Sequence, residues 1–461
     1  MIAGNHRHST PGRESVVVVR LLVSILIAGQ IGRTFLAEPS HIPTGSMAPH
    51  RLGHHQKWAC PNCRFPFEVG LLADQTLPVS VCPNCALTMK ARGSDILGFE
   101  GDRVWVDKAT IDLKRPDRWQ EAIFYSPDAP LTPHLKRVAG LPGESVRIDG
   151  GDLYINGRRT IKGELARKAL SVKVYDQSYP AMDASRFPRW RFRTSSGGAS
   201  RWGIDDLTGK LQRRPPLKES TGADLEFWDW ADYRHISPSS GEYGPVTDFL
   251  AYQGRDPGGE QEVGDLWFRA DIGLGQSERL ALRLSNREVE IMVEVGLKLV
   301  NREPATPPGD VWINGQRVSA EWKPLTSIDQ GRGEVNVELS WVDHQLEFRF
   351  NGGLVFAPLS FETIEGRRPD SNLRDSPAGL GVKGGGSRIR NFQIFRDTYI
   401  TNRLASEPVI GFGVRQPVEL PADGYFVLGD NSGFSVDSRF WKNGPVVPWR
   451  ALIGRPIGQG R

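Results

Sequence analysis

The stretch HIPTGSMAPH, residues 41 to 50, sets Ser46 in a turn stiffened by Pro43, Gly45 and Pro49, with a second hydroxyl at Thr44. A serine hydroxyl is a poor nucleophile until a base takes its proton, and the usual bases are a histidine held by a carboxylate or a lysine with a lowered pKa. The chain has nine histidines, but none stands in the ordered motif context that surrounds several lysines. His134 in LTPHLKR reads as a loop residue. A lysine serves as base only when burial among apolar groups populates its neutral form. Lys136 in LKRVAGL suits that role, with Leu135, Val138 and Leu141 expected to line the amine. The chemistry implied by such a pair is acyl transfer through a serine ester.

Four cysteines form a second constellation: Cys60 and Cys63, then Cys82 and Cys85, as two CPNC knuckles eighteen residues apart. Each knuckle presents two thiolates to one side of a tetrahedral ion, so the spacing predicts a structural zinc ribbon with no open ligand position. Two disulfides are the alternative in an oxidising compartment. His50, His54 and His55 lie close by and read as surface residues.

Several elements must position these groups. From Val16 to Ala37 runs VVVVRLLVSILIAGQIGRTFLA, long enough for a bilayer core, which predicts a transmembrane anchor. A cleaved signal peptide competes with that reading, but the small-residue cleavage site is missing. Arg7 and Arg13 ahead of the run place the N-terminus in the cytoplasm and the remainder outside. GDRVWVDK (101 to 108) alternates like a half-buried strand, and GDLYINGRR (151 to 159) carries the Asn-Gly of a tight hairpin. Between about 165 and 396 come many tryptophans, the alternating VNVELSWV and the hairpin-like LEFRFNGGLVF, which predict a separate β-sandwich. With 51 Gly and 33 Pro, the composition favours turns and strands over long helices, and 461 residues imply several domains. A net charge of +4 gives no reason to expect nucleic acid as a partner.

IPTGSMAP, GDRVWVDK, KRVAGLPGESV and GDNSGFSVDSR stand in the order and with the texture of the type I signal peptidases, membrane-bound serine-lysine endopeptidases, and the chain resembles that family over about 130 residues. The resemblance implies Ser46 as nucleophile and Lys136 as general base. It implies an oxyanion hole from the Thr44 hydroxyl and the Ser46 N–H, Ser435 as the hydroxyl that positions the lysine amine, and Asp430, Asp437 and Arg439 as supporting polar residues. Where the family often has arginine after GDN, this chain has Ser432. The segment GLGVKGGGSRIRNFQIF resembles the closing strands of concanavalin or laminin-G-like jelly rolls.

The expected organisation is therefore mainly β. Residues 1–37 form a tail and anchor, and 38–55, 93–164 and 400–461 a signal-peptidase-type catalytic domain. A zinc ribbon occupies 56–92 and a sandwich 165–399. The expected function is cleavage of signal peptides after small residues, on the extracytoplasmic side of the inner membrane. The implied partners are preproteins, lipid and the export machinery, and no cofactor is needed for catalysis. The rivals are an inactive membrane-tethered scaffold displaying a lectin-like sandwich, and a self-cleaving repressor-type protease, for which no DNA-binding module is evident.

Overall fold

A computed structural model describes residues 13–457 apart from 72–78, 91–97, 184–187, 206–208, 216–226, 255–260, 276, 298–308, 324–332, 363–372 and 403–410. The leader containing Arg7 lies outside the described residues. A helix spans Arg13–Phe35, and Val17, Leu22 and Leu26 stand exposed along it. Among the described residues, however, no helix is long and apolar enough to cross a membrane. The described residues of Arg13–Phe35 present an aliphatic surface that is exposed in the structure. The helix also stops before Ala37, because Ala37–His41 is drawn off as a strand against Arg103–Asp107.

That pairing opens a seven-stranded sheet, ordered Ala37–His41, Arg103–Asp107, Leu452–Ile457, Glu121–Ser126, Ala129–Gly140, Gly424–Leu428 and Val447–Pro448. Alternation works as expected in Arg103–Asp107: Val104 and Val106 are buried while Trp105 is 56% exposed. A four-stranded sheet follows, in which Asp152–Ile155 turns back into Arg158–Arg159. Asn156 and Gly157 both take positive φ there (51° and 78°), the geometry a two-residue primed turn demands. Buried Val146, Ile148, Leu153 and Phe426 join the two sheets in one core.

Between these parts lie two insertions. His55–Ala59 pairs with Pro66–Gly70 and Val79–Val81 with Thr88–Lys90, a hairpin for each CPNC knuckle. Beyond residue 171, sheets of nine and seven strands face each other over a core that includes Phe268, Leu282, Ile291, Trp341, Phe348 and Phe392. The chain enters and leaves this sandwich side by side, since Val172 pairs with Arg396, so a large segment can be carried without pulling the flanking strands apart.

One segment of the sandwich reaches back. The short 3-10 turn Ala251–Gln253 buries Tyr252 against Ala48 and Leu52, and it sends Phe249 and Ala251 into the cysteine core. Ser80 Oγ donates to the Ala251 carbonyl at 2.8 Å, and Arg396 donates to the carbonyls of Asp248 and Phe249. The two insertions are thus packed on each other and on the turn that carries Ser46.

Candidate active site

Ser46 sits in the single 3-10 turn Gly45–Met47, with Met47 fully buried as its anchor. Gly45 is required by space: a Cβ there would lie 2.2 Å from Tyr252 Cε1. Asn431 fixes the turn from the other side, donating from Nδ2 to the Gly45 carbonyl at 2.9 Å and from its backbone N–H to the Ser46 carbonyl at 3.1 Å. A Cβ at Gly429 would meet the Ser46 carbonyl at 2.5 Å, so the strand end Gly424–Leu428 can approach the Ser46 turn only through a glycine.

Lys136 lies in the interior strand Ala129–Gly140, ninety residues away in sequence, and its Nζ is 2.5 Å from Ser46 Oγ. The side chain is buried, and that burial, with a smaller push from the Arg439 charge, outweighs the pull of Asp437 and Asp430 and lowers its pKa to about 8. Side chains alternate along a strand, so Val138 shares the face of Lys136 whereas Leu135 points to the other face. Leu141 lies beyond the strand end. Thr44 is exposed at the mouth, its Oγ1 3.3 Å from Ser46 Oγ.

The remaining family-implied residues stand behind this pair. Asp437 receives the Gly429 N–H at 2.9 Å and a two-pronged pair from Arg439, Nε to Oδ1 at 2.9 Å and Nη2 to Oδ2 at 2.8 Å. Arg439 also donates to Ser432 Oγ at 2.8 Å and to the Thr401 carbonyl at 2.6 Å. The serine that departs from the family pattern is thus held by an arginine from the same loop. Ser435 Oγ is wholly buried without a hydrogen-bond partner, beside Gly429, and it makes no hydrogen bond to the Lys136 amine. Asp430 is clasped by Arg137, Nε to Oδ1 at 2.8 Å and Nη2 to Oδ2 at 2.5 Å, and lies 2.9 Å from His50 Nδ1. Burial pushes the Asp430 carboxyl up, but the Arg137 guanidinium and His50 outweigh it and hold the carboxyl well below the usual carboxylate range.

Several residues here are not singled out by motif reasoning. Arg137 follows Lys136 directly and links Asp430 to Glu121, which Arg51 also engages at 2.9 Å. His50 is not a surface residue: it faces Asp430 with one ring nitrogen and the Ser171 carbonyl with the other. Gln253 Nε2 donates to Asn431 Oδ1, which brings the sandwich into contact with the residue that holds the Ser46 turn. An adjacent basic residue and the GDN triplet hint at Arg137 and Asn431; nothing in the sequence links Tyr252 and Gln253 to residues two hundred positions away.

The four thiols meet as a cluster. Cys60 and Cys85 Sγ are 3.5 Å apart, Cys63 and Cys82 Sγ 3.6 Å apart, all four lie within 4.8 Å of one another, and none is in a disulfide. Tetrahedral zinc with bonds of about 2.3 Å holds its sulfurs about 3.8 Å apart, so this donor set fits one such ion.

Residues 97–192 match the family described as "Signal peptidase, peptidase S26". A probable signal peptidase I-2 of Synechocystis is 30% identical over 18% of this chain and 43% of its own length. A signal peptidase I of Leptolyngbya laminosa is 31% identical over 27% of this chain and 60% of its own length. The chain therefore spans about half the length of these curated relatives. A solved Bacillus subtilis protein of unknown function with a galectin-like fold is 12% identical, covering 49% of this chain and 96% of that one at a TM-score of 0.31. Over these matched residues the chain is similar to the signal peptidases.

Proposed function

We propose that the chain is a serine endopeptidase that removes signal peptides from exported preproteins, with Ser46 as nucleophile and Lys136 as general base. The observation that carries this reading is the 2.5 Å approach of a buried lysine amine to a serine hydroxyl held in a rigid turn. Ser46 Oγ attacks the scissile carbonyl while neutral Lys136 Nζ takes its proton. The oxyanion is met by the Thr44 hydroxyl and the Ser46 N–H, lysine returns the proton to the leaving amine, and water attacking the ester frees Ser46. Asp430, Asp437 and Arg439 act through the loop they brace, and Ser435, adjacent to Gly429, is the hydroxyl available to orient the amine once substrate fills the site.

The aliphatic surface of Arg13–Phe35, with Val17, Leu22 and Leu26 exposed, attaches the enzyme to the inner membrane with its site on the extracytoplasmic side, where preproteins leave the export machinery. Cys60, Cys63, Cys82 and Cys85 hold a structural zinc, whose role is to pin the ribbon that Ala251 packs against. Incubation of the purified protein in detergent with a preprotein carrying a small-residue cleavage site tests the reading. Release of the mature product by the wild type and not by Ser46→Ala is expected; a folded wild type that cleaves nothing would leave the inactive-scaffold reading in its place.

A further inference from the structure

Away from the serine site, three strands of the larger sandwich sheet end at the same edge. Leu266 pairs with both Trp341 and Arg396, so Asp265 just before it, Asp343 just after Glu334–Val342 and Asp397 just after Ser387–Arg396 are brought together. Asp152 comes to meet them from the catalytic four-stranded sheet. Carboxylate oxygens of Asp152, Asp265 and Asp343 all lie within 4.8 Å of one another. Oxygens bound to calcium at 2.3–2.6 Å sit at most about 5 Å apart, so this convergence has the dimensions of a calcium shell.

A second observation is independent of that spacing. Asp397 is only 3% exposed, borders with Asp152 and Asp265 a cavity of about 680 Å³, and leaves Oδ1 without a hydrogen-bond partner. A buried carboxylate oxygen without a partner is costly. Two cations answer part of the charge: Lys162 Nζ is 2.6 Å from Asp343 and 2.8 Å from Asp397, and Arg159 Nε is 2.9 Å from Asp152. Arg396 instead turns to the backbone carbonyls of Asp397, Asp248 and Phe249. Four carboxylates facing two cations leave a deficit that one divalent ion would fill.

We infer that Asp152, Asp265 and Asp343, with Asp397 Oδ1 in reserve for a bound water or the ion itself, form a calcium site at the junction of the catalytic domain and the sandwich. The ion ties Asp152 of one domain to three aspartates of the other and so holds the two together. Trp341 and Tyr399 line the same cavity, which supplies an optical probe.

The test uses full-length protein in detergent, freed of calcium while its zinc content is followed by metal analysis. Terbium, a luminescent stand-in for calcium, should emit on tryptophan excitation and be displaced by calcium chloride. Calcium should also raise the thermal midpoint by roughly 3 °C or more. Asp265→Asn and Asp397→Asn, which keep shape and remove charge, should each weaken calcium binding at least tenfold. A folded wild type with no terbium emission and no calcium-dependent midpoint overturns the assignment. So does undiminished binding in both Asn variants, which would place the ion elsewhere. Should an Asn variant fail to fold, the wild-type titration decides by itself.

Discussion

Replacing Lys136 by methionine should abolish cleavage and at the same time stabilise the protein at neutral pH. A lysine released on unfolding titrates near 10.5, whereas burial lowers the folded value to about 8. Between those values the unfolded chain binds the extra proton, so stability rises with pH across that window and the penalty is full below it. At 1.36 kcal/mol per tenfold, the penalty at pH 7 is about 3 kcal/mol. Methionine fills similar volume without a charge and should recover much of that, so Lys136→Met should unfold at higher temperature than wild type at pH 7, with the gap closing as pH approaches 10.5. The same lowered value sets activity: at pH 7 about a tenth of Lys136 is neutral, against about three in ten thousand for an ordinary lysine. Wild-type kcat/KM should therefore rise about tenfold per pH unit below 8 and level off above. Calorimetry of both proteins from pH 6 to 10.5, with initial rates on a preprotein over the same range, measures both halves. A pH-independent stability difference, or a rate already flat from pH 6, would refute the argument that burial prepares this lysine.

Thr44→Val keeps shape and removes a donor, so kcat should fall on the order of a hundredfold with KM little changed, as single-turnover kinetics would show. Elemental analysis should find about one zinc per chain, and Cys60→Ser should lose it and lower stability without removing a catalytic group; two disulfides and no metal by non-reducing mass spectrometry would reject the ribbon. Tyr252→Ala opens space beside Gly45 and should cost about 3 kcal/mol of stability and tenfold or more in kcat, whereas Tyr252→Phe, which loses only the 3.0 Å bond to the His54 carbonyl, should cost far less. Asp430→Asn takes from the buried Arg137 guanidinium the nearer of its two charge partners, leaving Glu121 at 3.6 Å, and should destabilise by about 3 kcal/mol, read as a lower unfolding midpoint.

What the sequence could reveal divides along physical lines. Period-two alternation marks Arg103–Asp107 and Glu334–Val342 because each buries one face or lies in a core, and Asn-Gly at 156–157 marks a hairpin because both positions need positive φ. The turn Gly45–Met47 and the strand Ala129–Gly140, which carry Ser46 and Lys136, are locally encoded. The meeting of Ala251–Gln253 with Gly45 was not, since tertiary packing across two hundred residues leaves no local pattern. His50 misled for a related reason: its partner Asp430 is 380 residues away, so nearby cysteines were the only neighbours the sequence offered. The carboxylate cluster stayed hidden because its four aspartates belong to four strand ends that only sheet pairing brings together.

The central claim is that Ser46 and Lys136 act as one unit, and single-turnover cleavage of a preprotein by wild type, Ser46→Ala and Lys136→Arg at pH 9 tests it most directly. An acyl-enzyme on Ser46 should form in the wild type alone. Arginine stays protonated and cannot accept the serine proton, so Lys136→Arg should be as inactive as Ser46→Ala although both fold. Near-normal acylation by a folded Lys136→Arg protein would contradict the account.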